Sequence, residues 1–423
     1  MRLKNINGSY SPSFFNIILE TNEDISLAIQ KYTPTFVHEF IHYLQDLLLP
    51  YSLRLNFTNL SWFLRIRESA DESGCIKLPF NEWNDNEKVL IEQYNYTMGN
   101  GSTETGFINK VKEINFIEQE ASNIIELQGR RFTLYTYNIL INDRSITYNL
   151  GARDILEYLA YKIEVRYYQT SNKPELPYKS IDLLFDYYGL SDVSDDIRLC
   201  VAEFCLYNDN PIHTLFNLFL ENKEFKQNIK VLTYDMIYKE LLAYEFETKD
   251  GTKETLTNKF DRRLEQFVNI LSKQYKQFDG IRHWILQVNN FVKSELSEKF
   301  IFSDMYRMEQ DKFENFINTV ITKIGIPLVM NNRKKCISLQ SEEQPEKIDA
   351  SQFIQFYILQ EFLNSIMYQY NNTLCPVNEF CVANGGKYDE RCSLNPRTKI
   401  TNEGYCQYIN FLRLNGLSNV EFN

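Results

Sequence analysis

The sequence predicts an α+β chain, predominantly helical, with a small β-sheet, a helical region and a cysteine-bearing C-terminal tail. Three observations carry that expectation. Apolar residues recur at helical spacing over about 34–49 and 152–169 and through much of 180–330. Runs of aromatic and β-branched residues concentrate at 12–20 and 131–149. Four of the eight cysteines fall in a glycine- and proline-punctuated stretch near the C-terminal end. A chain of 423 residues is long enough for two or three domains and a fully buried core. The changes of pattern divide it into 1–171, 172–337 and 338–423.

In chain order, Pro12 to Glu20 reads as a strand. Thr33 and Pro34 then read as an N-cap and first helical residue, and Val37, Phe40, Ile41, Leu44 and Leu48 recur at helical spacing until Pro50. The β-prone runs around Asn142-Asp143-Arg144 predict a hairpin. Gly151 opens a second amphipathic helix, roughly 152–169. It carries Ile155, Leu156, Leu159 and Ile163 on one stripe and Glu157, Tyr161, Glu164 and Tyr168 on another. Asn172 to Tyr178, with two prolines, reads as a linker. Segments such as 230–245 and 258–277 predict a helical platform, and the polar stretch Ser338 to Asp349 separates it from a last helix at 350–370. No repeat or low-complexity tract is evident.

Forty-five basic against 56 acidic residues give a net charge of -11, which repels a phosphate backbone and argues against a nucleic-acid partner. The first residues contain no apolar core of a secretory signal, and no later stretch reads as a membrane span. The expected location is the cytoplasm, with reduced cysteines. Abundant Asn, Lys, Ile and Tyr suggest an AT-rich bacterial coding sequence.

His38-Glu39-Phe40-Ile41-His42 fits H-E-x-x-H. On a helix the two imidazoles lie four residues apart on one face, close enough to share one tetrahedral Zn2+. Glu39 sits about 100° further round, off the metal but beside a water that it can deprotonate. With four histidines in the chain, composition alone predicts roughly 0.003 occurrences of the pattern. The capped helix and its apolar stripe agree with a genuine site whose histidine face points into a cleft.

A catalytic site needs a third protein ligand. A metzincin would carry a glycine and a third histidine at the positions of Gln45 and Leu48, so that class is excluded. The chain resembles the gluzincin class of zinc metallopeptidases, in which a glutamate from a second helix completes the site in a segment reading roughly E-x-x-A. Glu157 and Ala160 match that segment, so the resemblance implies Glu157 as third ligand and a zincin-like core. Tyr161 stands where thermolysin-like members carry an aspartate, which sets the chain apart from that subfamily. The wording HEFIHYLQD followed by LGARDILEYLAYKIE is also similar to poorly characterised bacterial HExxH proteins.

Asp46, four residues after His42, could accept the second imidazole N–H, and Glu164 could support the site in a similar way. Tyr161 or Tyr168 could donate to the oxyanion. His213 and His283 have no ligand-spaced partner and read as structural. Cys375, Cys381, Cys392 and Cys406, spaced C-x5-C-x10-C-x13-C, could close a second, structural Zn2+ site or hold an iron–sulfur cluster; buried free thiols are the alternative. The function expected is intracellular, zinc-dependent hydrolysis of a peptide or protein substrate with Glu39 as general base, under a possible regulatory protein partner. The alternatives are a non-enzymatic zinc-stabilised binding or regulatory protein, or a toxin- or defence-type protease held inactive until triggered.

Overall fold

Short β-prone runs broken by turn residues build the first layer. The computed structural model describes residues 3–422 except 5, 6, 100–106, 128, 129, 144, 171, 172, 230, 248–250, 297, 298, 340, 342–349, 369–374, 387 and 395–405. β1 (Leu3–Lys4), β2 (Gly8–Ser11) and β3 (Asn16–Leu19) form an antiparallel meander. Ser13 and Phe15, at positive φ of 71° and 55°, reverse the chain before β3, so the strand expected from Pro12 begins only after this turn.

α1 (Ile25–Lys31), α2 (Thr33–Leu48) and α3 (Pro50–Ser73) follow. Thr33 is not the N-cap of α2. Tyr32 holds that position, and the Thr33 hydroxyl donates to the carbonyls of Ile29 and Gln30, tying α2 to the end of α1. Pro50 stops α2 as expected, but it also starts α3 at the position where its missing N–H is not needed. That second helix is not predicted by the sequence reading.

β4 (Cys75–Ile76) and α4 (Asp85–Met98) lead to a three-stranded antiparallel sheet of β5 (Ile114–Leu127), β6 (Arg130–Ile141) and β7 (Ile146–Leu150). The expected hairpin is β6–β7, with Asn142 and Asp143 at φ of 53° and 58°; Arg144 lies outside the described residues. α5 (Ala152–Tyr168) begins after Gly151. A Cβ on Gly151 would lie 2.1 Å from the Met98 carbonyl oxygen, so only glycine lets the start of α5 meet the end of α4 backbone to backbone.

Beyond 180 the chain is mainly helical, with α6 (Ser180–Tyr187), α7 (Asp195–Cys205) and longer helices at Leu256–Gln274 and Gln310–Ile324. The segment predicted over 230–245 is helical over Tyr234–Leu242, and the last long helix is Ala350–Tyr368. Asn172 and most of Ser338 to Asp349 lie outside the described residues. A hairpin of β8 (Glu245–Glu247) and β9 (Lys253–Thr255) interrupts the helices. So do β10 (Ile326–Asn331) and β11 (Cys336–Leu339). β10 runs parallel to β3, giving a five-stranded sheet of order β1-β2-β3-β10-β11. β12 (Glu421–Phe422) pairs with β4.

α2 lies between this sheet and the helices α3 and α5. Every residue from Thr35 to Leu48 is buried. Buried side chains from Tyr10 to Val420 belong to one continuous apolar cluster around it. The α+β, predominantly helical class is as expected. No helix of the described residues is long and apolar enough to cross a membrane.

Candidate metal centre

The helical repeat brings His38 and His42 together, with ring centroids 4.8 Å apart and planes at 84°. α5 crosses α2 with the Glu157 carboxylate against both imidazoles. His38 Nε2 lies 3.2 Å and His42 Nε2 3.3 Å from Glu157 Oε2. Two donors on one tetrahedral Zn2+ at about 2.1 Å stand about 3.4 Å apart, so these separations fit one shared ion. Among the described residues this is the one group whose three ligating atoms all lie within 4.8 Å of one another.

Glu39 is fully buried and interacts electrostatically with His38 and Glu157. Neither of its carboxylate oxygens has a hydrogen-bond partner, and Glu157 Oε1 has none either. Leaving such oxygens unpaired in the interior costs several kcal/mol each, so the arrangement calls for a cation and a polar molecule between them. Burial pushes the Glu39 carboxyl up to about 8. Burial would raise Glu157 as well, but the charge of His42 and hydrogen bonds from both imidazoles hold it well below the usual carboxylate range. Burial lowers His42, whereas for His38 bonds to Glu157 and Glu164 overcome burial and the Lys173 charge and raise it.

The second nitrogen of each imidazole is also held. His38 Nδ1 lies 2.9 Å from Glu164 Oε2, as the sequence suggested for Glu164. Lys173 bonds that carboxylate in turn and reaches to 3.3 Å from His38 Nδ1. Burial raises Glu164, but the His38 bond, its charge and Lys173 bring it down to about 2. His42 Nδ1 donates to Gln45 Oε1 at 2.8 Å, and Gln45 Nε2 donates to the Leu156 carbonyl, linking α2 to α5.

Asp46 does not perform the expected task. Its Oδ2 accepts from Tyr10 at 2.8 Å and from the Ser13 amide at 2.7 Å, anchoring the β2–β3 turn to α2. Residues three and four positions on share a helix face, and here Gln45 has the partner on α5 while Asp46 has the partner on the sheet. Tyr161 stacks obliquely on Tyr178, and Tyr168 is half-buried elsewhere on α5. Tyr178 is the aromatic residue against His38, at 5.9 Å between centroids. Gln45 was missed, although its position three residues after His42 could have signalled it; no local signal points to Lys173 or Tyr178, which reach the centre from a loop.

The histidine face does not open into a cleft. His38, Glu39 and Glu157 are completely buried and His42 is 1% exposed. β2 presses directly on the helix, where a Cβ on Gly8 would lie 3.0 Å from Glu39 Oε1. On the other side two segments pair through reciprocal bonds between Ile108 and Leu176, and Tyr178 follows them into the centre.

His213 accepts or donates at 2.8 Å with Tyr137 and stacks on Tyr135, and exposed His283 sits beside Arg282, so neither joins the centre. None of the eight cysteines is in a disulfide. Cys375, Cys381, Cys392 and Cys406 share one neighbourhood: the Cys375 amide donates to the Cys392 carbonyl, and the other three thiols act electrostatically on Cys375. Burial, aided by them, pushes the Cys375 thiol up to about 12. No three of the four sulfurs come within the 4.8 Å that the histidine centre achieves. No family model, curated protein or solved structure matches this chain.

Proposed function

We propose that the chain is a zinc-dependent metallopeptidase with a zincin-like, gluzincin-type centre, in which His38, His42 and Glu157 hold Zn2+ and Glu39 is the general base. The observation that carries this reading is the fully buried, unpaired Glu39 carboxylate beside three converging ligand atoms. A site that only stabilised a fold would need no such group. The bound ion would polarise the scissile carbonyl and acidify an attacking water. Glu39 takes the proton of that water and returns it to the leaving amine. Glu164 and Gln45 orient the imidazoles so that Nε2 of each faces the ion. Tyr178 and β2 exclude bulk water.

Complete burial of the centre supports a second reading, a non-enzymatic zinc-stabilised protein or a protease latent until its cover opens. Glu39→Gln in the zinc-loaded full chain separates the readings. Peptide hydrolysis, followed by mass spectrometry on a mixed peptide pool, is expected to fall about 10³-fold at unchanged metal content. Undiminished hydrolysis, or none in the native chain, would reject the metallopeptidase assignment. A second, structural Zn2+ or an iron–sulfur cluster on the cysteine quartet is a separate proposal, supported by the gathering of the four thiols.

A further inference from the structure

Arg153 lies one helical turn before Glu157 on α5 and is only 8% exposed. Its Nε is buried with no hydrogen-bond partner, and among the described residues its guanidinium forms no ion pair, acting on the neighbouring Asp154 only through its charge. A guanidinium stays charged at any pH a protein tolerates, so burial cannot be relieved by loss of a proton. Such a charge without a counter-ion is among the most costly groups to enclose.

Local stability does not explain the placement. Arg153 is the second residue of α5, after Ala152, where the positive end of the helix dipole disfavours a cation. Asp154, the adjacent acid, is taken up by other donors: Oδ1 accepts from Tyr148 and Oδ2 from the Gly151 amide. The guanidinium lies over the face of Phe107, with Cζ 5.0 Å from the ring centroid. Phe107 stacks on Tyr178 at 6.0 Å, and Tyr178 packs on His38. The guanidinium is thus linked to His38 through the rings of Phe107 and Tyr178.

We propose that Arg153 binds a carboxylate of the substrate, so that the centre acts on peptides at their free C-terminal end. The proposal rests on the metallopeptidase reading. One turn of α5 separates Arg153 from Glu157 by ~6 Å, the length of one or two extended residues at about 3.4 Å each. The leaving group is therefore a C-terminal amino acid or dipeptide. Water oxygen bonds to the carbonyl carbon, the C–N bond breaks, and the proton held by Glu39 passes to the amine of the released fragment. The substrate carboxylate supplies a counter-ion for Arg153 through a charge-assisted, forked hydrogen bond.

The test uses the zinc-loaded full chain carrying Glu39→Gln, which binds without turnover, and an N-acetylated tripeptide library made both as free acids and as C-terminal amides. Retained peptides are quantified by mass spectrometry. Acids are expected to be held at least about 30-fold more tightly than amides, and Arg153→Met in the same background should reduce that ratio to about 3-fold or less. Zinc content and melting temperature show whether Arg153→Met is folded; if it is not, Arg153→Lys, which keeps the charge but loses the fork, is expected to lower the ratio in part. Equal retention of acids and amides, an acid preference unchanged without Arg153, or retention of neither would overturn the proposal. Cleavage of amides and acids alike by the native chain would keep the hydrolytic reading and reject this one. Acid retention that depends on Arg153, in a chain that cleaves nothing, would reject hydrolysis and keep the carboxylate site.

Discussion

His38, His42 and Glu157 stand on two long buried helices, whereas Cys375, Cys381, Cys392 and Cys406 stand at turns and in short helices of the tail. In the first region the backbone sets the ligand spacing. Two imidazoles four residues apart meet whatever surrounds them, and the Gln45 to Leu156 bond fixes how α5 lies on α2. In the second region the spacing depends on connecting loops, and no three of the sulfurs lie within 4.8 Å of one another. Rigid elements can therefore prepare a metal site in advance, whereas a loop-built cluster would gain its order only from a metal bound to it.

The largest expected effect comes from breaking the prepared site. Glu157→Ala or His42→Ala should lower zinc affinity by more than about 100-fold, beyond what outer partners contribute. Dialysis against a zinc buffer followed by elemental analysis checks this. Full occupancy in Glu157→Ala would mean that α5 does not supply the third ligand.

Support of α2 by the sheet is tested through pH. Burial raises Asp46 to about 7, against the opposing bonds from Ser13, Tyr10 and Asn56. A carboxyl with a raised folded pKa stabilises the fold below its unfolded value of about 4, and that contribution is lost as pH rises toward 7. Over that window the native chain should lose about 1 kcal/mol per pH unit relative to Asp46→Asn, whose amide oxygen still accepts from Tyr10 and Ser13. Urea titrations at pH 5, 6, 7 and 8 measure the difference; parallel curves would show that Asp46 is ionised in the fold.

Outer partners come next. Glu164→Gln and Gln45→Ala are each expected to weaken zinc binding by about 10- to 100-fold while leaving one ion bound at excess zinc. Competition with a chromophoric chelator gives the numbers. No change in either variant would show that the imidazoles are oriented by packing alone.

The smallest effect is expected in the tail. Cys375→Ser should lower whole-chain stability by about 1–2 kcal/mol and remove one metal from anaerobically prepared protein, with the histidine centre still loaded. Four titratable thiols in a native chain that carries a single metal would make the quartet a packing cluster.

The two motifs that matter most were legible because they are local. H-E-x-x-H needs only the helical repeat, and α2 and α5 run over nearly the predicted residues because their apolar stripes, Pro50 and Gly151 act within a few positions. The expected hairpin appeared for the same reason, through Asn142 and Asp143. α3 and β5 were not legible: α3 is opened by the proline that ends its predecessor, and β5 carries acidic residues that dilute its alternation.

By itself, then, the sequence determined α2 and α5, the two imidazoles and the neighbouring carboxylate, since each follows from the local pattern of its own helix. Only the tertiary structure decided that Gln45 and not Asp46 holds His42, that Lys173 and Tyr178 reach the centre, and that β3 pairs with β10 across more than three hundred residues. It also decided that the centre is enclosed and that Arg153 is buried on α5 with its Nε making no hydrogen bond among the described residues. These outcomes depend on which distant surface each side chain meets. That choice is made by the packing of the whole core, and no spacing along the chain encodes it.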